Sequence, residues 1–248
     1  MQHTYDSSFM NYADRSSRHS ARTISALLRE ALKIESVLDI GCAKGTWLSA
    51  WQESGVADII GADGNYVCAD DLVIPRDRFV ATDLSRSMDL GRKFDLVQSL
   101  EVAEHIPADS AERFVENLVR HSAGFVLFSA APPGQGGEFH INEQPYDYWR
   151  ARFQQFHFDA YDWIRPQIAK DSSISFWYRF NTILYVHQDV AHTLPAELRA
   201  TRVPTGVPIT DVSPAWFRAR KLLIRGLPVS LQQKLAQLKA RSWRRVKT

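Results

Sequence analysis

The 248 residues, 45% of them hydrophobic, suffice to bury one full core, and their formal charge of +2 hides an asymmetry. Residues 214–248 hold ten of the 30 Lys and Arg and none of the 28 acids, which leaves −8 on residues 1–213. An acidic body argues against a general polyanion binder and for small-molecule ligands, with any anionic partner met by the tail or a local patch.

Cys42 and Cys68 form no metal or disulfide framework, which favours a reducing cytoplasm. No apolar run approaches the roughly 20 residues of a membrane span, and the polar start lacks a signal-peptide core. The expectation is a cytoplasmic chain, peripheral to a membrane at most.

In chain order, "TISALLREALK" (23–33) is helical by its apolar spacing, "SVLDI" (36–40) is a β-run, and "TWLSAWQES" (46–54) is helical up to Gly55. "ADIIGAD" (57–63), "RFVATD" (78–83), "FDLVQSL" (94–100) and "GFVLFSA" (124–130) read as short buried parallel strands. Between the last two, "DSAERFVENLVRH" (109–121) is an amphipathic helix whose Asp109 and Glu112 look like a capping pair. A long turn-rich loop, "APPGQGGEFHINEQ" (131–144), precedes a helix, "PYDYWRARFQQF" (145–156), and a β-like "NTILYVHQ" (181–188). Alternation of this kind predicts a doubly wound α/β domain over residues 1–190 with ligands at the carboxyl ends of its strands. Residues 191–213 read as a linker, and 214–248 as a basic amphipathic tail.

"SVLDIGCAKGTW" places Asp39 at a strand end and Gly41 and Gly45 in the turn that follows, where backbone without Cβ can approach a nucleotide-containing cofactor. The pattern is D-x-G-x-x-x-G rather than a dinucleotide G-x-G-x-x-G, and a carboxylate there favours an amino group or sulfonium over phosphates. Asp63 ends the second strand, placed to accept two ribose hydroxyls, and Asp83 ends the third, placed to accept an adenine amine. Taken singly, each of these is equally well a cap or a turn residue.

As an ordered set, "VLDIGCAKGTW", "IIGADG", "ATDL" and "FDLVQSLEVAEHI" resemble the motifs of class I S-adenosylmethionine-dependent methyltransferases over residues 18–188. That resemblance implies a Rossmann-like, seven-stranded sheet with a reversed last strand, for which "NTILYVHQ" is the candidate. It also implies cofactor contacts at Asp39, Gly41, Cys42, Gly45, Asp63, Gly64, Asp83, Leu84 and Ser99. Ala43 departs from the pattern, since many members carry a further glycine there.

After the fourth strand, "SLEVAEHIP" brings Glu101, Glu104 and His105 together if it makes one helical turn, and His140 in the later loop can close a shell of O and N ligands. The E-x-x-E-H run resembles the metal site of one branch of the superfamily, which implies Mg²⁺, Mn²⁺ or Zn²⁺ at Glu101, Glu104, His105 and His140, with His105 and Glu104 catalytic. Two other readings stay open: His105 as a lone general base, or a purely structural run.

Residues 146–180 interleave aromatics with Arg150, Arg152, Arg165 and Arg179, which are candidates for an acceptor phosphate, although most such aromatics pack in cores. The tail carries Leu231, Leu235 and Leu238 at helical spacing among Lys and Arg, a match for an anionic membrane surface or for the acidic body itself. The expected function is O-methylation of a saccharide or glycolipid hydroxyl. The alternatives are an RNA 3′-terminal ribose 2′-O-methyltransferase, with nucleic acid the less favoured partner, and a noncatalytic cofactor-binding module.

Overall fold

The computed structural model describes the backbone of residues 7–227 and side chains from residue 17, together with Leu231. Among these residues no helix is long and apolar enough to cross a membrane.

A long helix α1 (Ser7–Ala31) leads into β1 (Ser36–Ile40), α2 (Thr46–Glu53), β2 (Asp58–Asp63), β3 (Phe79–Ala81) and β4 (Phe94–Leu100). Next come α3 (Ala111–Arg120), β5 (Ser122–Ser129), α4 (Tyr146–Gln155), β6 (Phe158–Tyr161), α5 (Ile164–Ile168), α6 (Phe176–Asn181) and β7 (Ile183–His187). Among the described residues α7 (Ala196–Arg199) and α8 (Ala215–Arg225) follow. The seven strands form one sheet in the order β3-β2-β1-β4-β5-β7-β6, parallel except that β7 runs antiparallel to both β5 and β6. This is the doubly wound, seven-stranded sheet with a reversed last strand that the sequence resemblance implies.

Alternation along the strands splits the core into two layers. Val37, Leu96 and Leu127 face Ile24, Leu28 and Trp51 of α1 and α2. Their neighbours Leu38, Val97 and Val126 face Phe114, Leu118, Trp149 and Phe153 of α3 and α4. Each such fully buried side chain contributes roughly 1.5–3 kcal/mol before entropy is counted.

Several elements differ from the sequence expectation. The first helix begins at Ser7, well before residue 23. β3 has only three residues, and β6, a four-residue edge strand, was not anticipated. The residue capping α3 is Ser110, at the end of a short 3₁₀ turn, rather than an Asp109–Glu112 pair, and no side chain bonds to its amides.

Residues 191–213 do not hang as a linker. The Val203 amide donates to the Ala160 carbonyl at 2.8 Å, and Arg202 bridges Tyr161, extending the β6 edge. Buried Arg150 donates to the carbonyls of Pro204 (2.6 Å) and Val207 (2.5 Å), and buried Arg165 donates to that of Thr210 (2.9 Å). A planar fork of five donors satisfies several backbone acceptors at once, so these arginines serve as clamps rather than phosphate ligands. Arg152 lies over the Tyr148 ring, 3.4 Å from its centroid, and Arg179 over Phe180 at 4.8 Å. Tyr146, Trp149 and Tyr178 are buried, in line with the core reading of the aromatic stretch.

The first part of the basic tail is α8, which packs on the body. The second half of that tail, residues 228–248 with Leu235 and Leu238, lies outside the described residues apart from Leu231.

Candidate active site

The turn after β1 takes its shape from its small residues. Gly41 has φ +89°, its amide donates to the Ala62 carbonyl at 2.8 Å, and a Cβ there would collide with the Val102 side chain. Gly45, also at positive φ, caps α2. Ala43 adopts φ +50°, the left-handed conformation that the family's usual glycine takes without a Cβ penalty.

Asp39 is 3% exposed, one residue before the end of β1, with Gln98 of β4 as its partner in the ladder. Burial, with Asp63 adding and the Gln98 amide opposing, pushes its carboxyl up to about 7. Asp63 ends β2, equally buried, and accepts three hydrogen bonds: from the Ala43 amide (2.7 Å), the Gly64 amide (2.7 Å) and the Tyr66 hydroxyl. Burial still raises its pKa against these donors. Tyr66, folded over Gly64, was missed by the sequence reading, although a hydroxyl three residues beyond a strand-end acid is a signal that can be read.

The other expected cofactor residues separate. Cys42 is buried, with its thiol pushed well up by desolvation, and packs against Gly61. The Ser99 hydroxyl donates to the Ile40 carbonyl at 2.7 Å, tying β4 to β1, so its own proton is committed to the sheet. Leu84 is buried beside Met88 in the second core layer. Asp83 lies beyond the end of β3, largely exposed, and accepts from the Ser85 hydroxyl at 2.6 Å and the Ser85 amide at 3.0 Å.

A second cluster lies just past β4. Residues 103–105 form one 3₁₀ turn that buries Glu104 completely. Donor atoms of Glu104, His105 and His140 come within 4.8 Å of one another. The rings of His105 and His140 meet edge to face at 4.9 Å, and His140 Nε2 is 3.9 Å from Glu104 Oε1. Among the described residues neither carboxylate oxygen of Glu104 meets a donor in hydrogen-bond geometry, although its own amide and that of Ala131 lie near enough to oppose the rise of its pKa. Its pKa is raised well above the usual carboxylate range by burial first, then by the nearby Glu101 and Glu143.

Glu101 does not join the group. It sits at φ +58°, a strained conformation for a residue with a side chain, and both its oxygens are taken. Asn181 Nδ2 donates to Oε1 at 3.0 Å and Gln135 Nε2 to Oε2 at 2.8 Å, while Asn181 Oδ1 accepts from the Tyr146 hydroxyl at 2.9 Å. The two amides come from a loop and a helix distant in sequence, so the residue types at 101–105 carry no trace of them.

Glu143, not identified from sequence, organises the 131–144 loop. It accepts from the amides of Gly134 (2.8 Å) and Gly136 (2.7 Å) and lies 2.7 Å from His140 Nδ1. A carboxylate accepts, so Nδ1 carries the proton and Nε2 keeps the lone pair. His105 Nδ1 lies 3.3 Å from the Phe139 carbonyl, to which a protonated Nδ1 donates.

These groups suit a cation. A buried carboxylate without a full set of donors is costly unless a positive charge or a proton meets it, and the two imidazoles beside it make an O and N donor set of the kind that can hold Zn²⁺ or Mn²⁺. At the neighbouring turn, the buried carboxyl of Asp39 suits a cofactor that brings an amino group.

Solved structures share this fold. The sugar N-methyltransferase KedS8 from Streptoalloteichus sp ATCC 53650 matches with a TM-score of 0.56 at 14% identity, over 75% of this chain and 94% of that one. The amino pentose methyltransferase CalS10 from Micromonospora echinaspora, with S-adenosylmethionine bound, matches at 0.52 and 15%, over 76% and 100%. DesVI from Streptomyces venezuelae matches at 0.52 and 16%, over 72% and 95%. No curated protein matches the sequence. Fold and motifs together define a class I S-adenosylmethionine-dependent methyltransferase. The chain belongs to the family described as "Methyltransferase domain", whose profile matches residues 12–170.

Proposed function

We propose that the chain methylates a hydroxyl of a saccharide or glycolipid, with a divalent ion held by Glu104, His105 and His140. The observation that carries this reading is Glu104, a completely buried carboxylate without a full set of donors beside two imidazoles. Two of the neighbours described above are named for sugar substrates, which supports a sugar-sized acceptor here.

S-Adenosylmethionine would supply an electrophilic methyl carbon: the acceptor oxygen bonds to it, the carbon–sulfur bond breaks with its electron pair going to sulfur, and the hydroxyl proton leaves to solvent. An ion held by Glu104, His105 and His140 would supply a Lewis acid that lowers the pKa of an acceptor hydroxyl toward neutrality. Asp39 receives the amino group of the cofactor, and Asp63 the ribose once the Tyr66 hydroxyl moves aside. Glu143 fixes the tautomer of His140, whose Nε2 lies 3.9 Å from Glu104, and the Phe139 carbonyl orients the His105 ring. The Glu101, Gln135 and Asn181 network holds the start of the 3₁₀ turn against the 131–144 loop, which sets where an acceptor hydroxyl rests.

Labelled methyl transfer to saccharide, glycolipid and RNA pools, run with and without chelator, tests the reading. Transfer to a hydroxyl of the first two pools, lost in chelator and restored by Mn²⁺ or Zn²⁺, is the expected result. Undiminished transfer in chelator would leave His105 as a metal-free base, and transfer to RNA alone would replace the acceptor.

A further inference from the structure

We propose that the outer face of α8 is a docking surface for an anionic lipid bilayer. This stands independently of the acceptor and the metal.

The inner face of the helix is fully engaged. Phe217, 5% exposed, packs on Phe176 with ring centroids 5.0 Å apart, and buried Lys221 pairs with Asp211. Arg220 donates to the Gln135 carbonyl at 3.0 Å, and the Lys221 carbonyl closes so tightly on Gly134 that no Cβ fits there. One side of α8 is thus anchored to the loop that carries Gln135 and Glu143.

The outer face is apolar and open. Trp216, Leu222 and Leu223 are 70%, 69% and 76% exposed, with exposed Arg218 and Arg225 among them. Positions 216, 219 and 223 recur at the helical repeat, so tryptophan, alanine and leucine form one stripe. Three large apolar side chains on one helix, within a stretch that has ten basic residues and no acid, stand apart from a body of charge −8. An anionic surface repels that body and attracts this segment, so the charge distribution orients the approach with α8 leading. Tryptophan beside arginine and leucine is the composition that sits at a lipid–water interface.

A second copy of the chain fits less well. The stripe offers a few hundred Å², short of the roughly 800 Å² per partner of a standard stable interface. Nucleic acid would use the arginines but leave the leucines exposed.

The full chain is sedimented with phosphatidylglycerol–phosphatidylcholine vesicles and with phosphatidylcholine vesicles at low and high salt. Binding to the anionic vesicles at low salt only is expected, and it should fall at least tenfold in a Trp216→Ser, Leu222→Ser, Leu223→Ser variant whose thermal melt is unchanged. These residues touch no part of the candidate metal cluster, so methyl transfer to a water-soluble acceptor should be unaffected. Equal sedimentation of variant and parent overturns the proposal, as does absence of vesicle binding by the parent. A concentration-dependent dimer abolished by the variant would assign the face to a second copy, and RNA binding abolished by it would assign the face to nucleic acid. Either result also overturns the proposal.

Discussion

Asp39 is the residue at which folding and cofactor binding oppose each other most clearly. Its carboxyl, 3.8 in the unperturbed state, is held up to about 7 chiefly by burial. The stability this group contributes is complete below the ordinary carboxylate pKa and is lost as pH rises through about 7. The ligand-free protein should therefore weaken between about pH 4 and pH 7, an effect bounded by about 4 kcal/mol. Asp39→Asn should flatten that stretch of the stability curve while weakening S-adenosylmethionine at least tenfold, measured by thermal melts across pH and by calorimetry. An unchanged Kd would remove Asp39 from the cofactor site.

Glu143 makes a second prediction at this scale. Glu143→Gln has one acceptor oxygen where the native carboxylate accepts hydrogen bonds from the Gly134 and Gly136 amides and from His140 Nδ1. Loss of an orienting partner of this kind costs about 10–100-fold in activity or metal affinity. The expected outcome is that drop in kcat with cofactor affinity retained; equal loss of both would mean that the loop had collapsed. At Ala43, the left-handed φ predicts that Ala43→Gly is neutral or stabilises by up to about 1 kcal/mol in a chemical denaturation curve.

Among elements, α8 depends on Asp211 and Lys221. Burial raises the Asp211 pKa, but hydrogen bonds from Lys221 and Ser213 outweigh it and leave the carboxyl below its ordinary value. With the folded pKa depressed, the contribution is present above the unfolded pKa and lost as pH falls through the folded one. Acid below about pH 4 should therefore release α8, seen as faster amide exchange over residues 215–225 than over the sheet. Asp211→Asn should do the same at neutral pH, at a cost on the order of 1–3 kcal/mol for the buried ammonium left behind. Slow exchange in that variant would show that Phe217 alone anchors the helix.

The strands β1, β2, β4 and β5 are legible because each is a short apolar run ending in polar or small residues. β6 is not: its four residues follow a helix without a break and carry Asp159 in their middle. The course of residues 191–213 is equally hidden, since two buried arginines reach their backbone carbonyls and no side-chain pattern records that contact. The candidate metal cluster is half legible. Glu104 and His105 share one local turn, and His140 follows from a loop long enough to return. Helical spacing and the E-x-x-E-H resemblance both group Glu101 with them, and only the amides of Gln135 and Asn181 show that its carboxylate is committed elsewhere.

For the whole molecule, the sheet order and reversed β7 bring two kinds of chemistry to one end of the strands. The turn after β1 gathers Asp39 and Asp63, and the turn after β4 gathers Glu104 with His105, while the 131–144 loop adds His140 from above. A buried carboxylate without a full set of donors is stable in such a place only as the partner of a cation or a proton. The decisive measurement is metal content and divalent-ion titration of the full protein beside its Glu104→Gln variant. One equivalent of Zn²⁺ or Mn²⁺ in the parent, lost in the variant while S-adenosylmethionine still binds, is the predicted result. A parent that transfers methyl groups at full rate with no metal bound would contradict it.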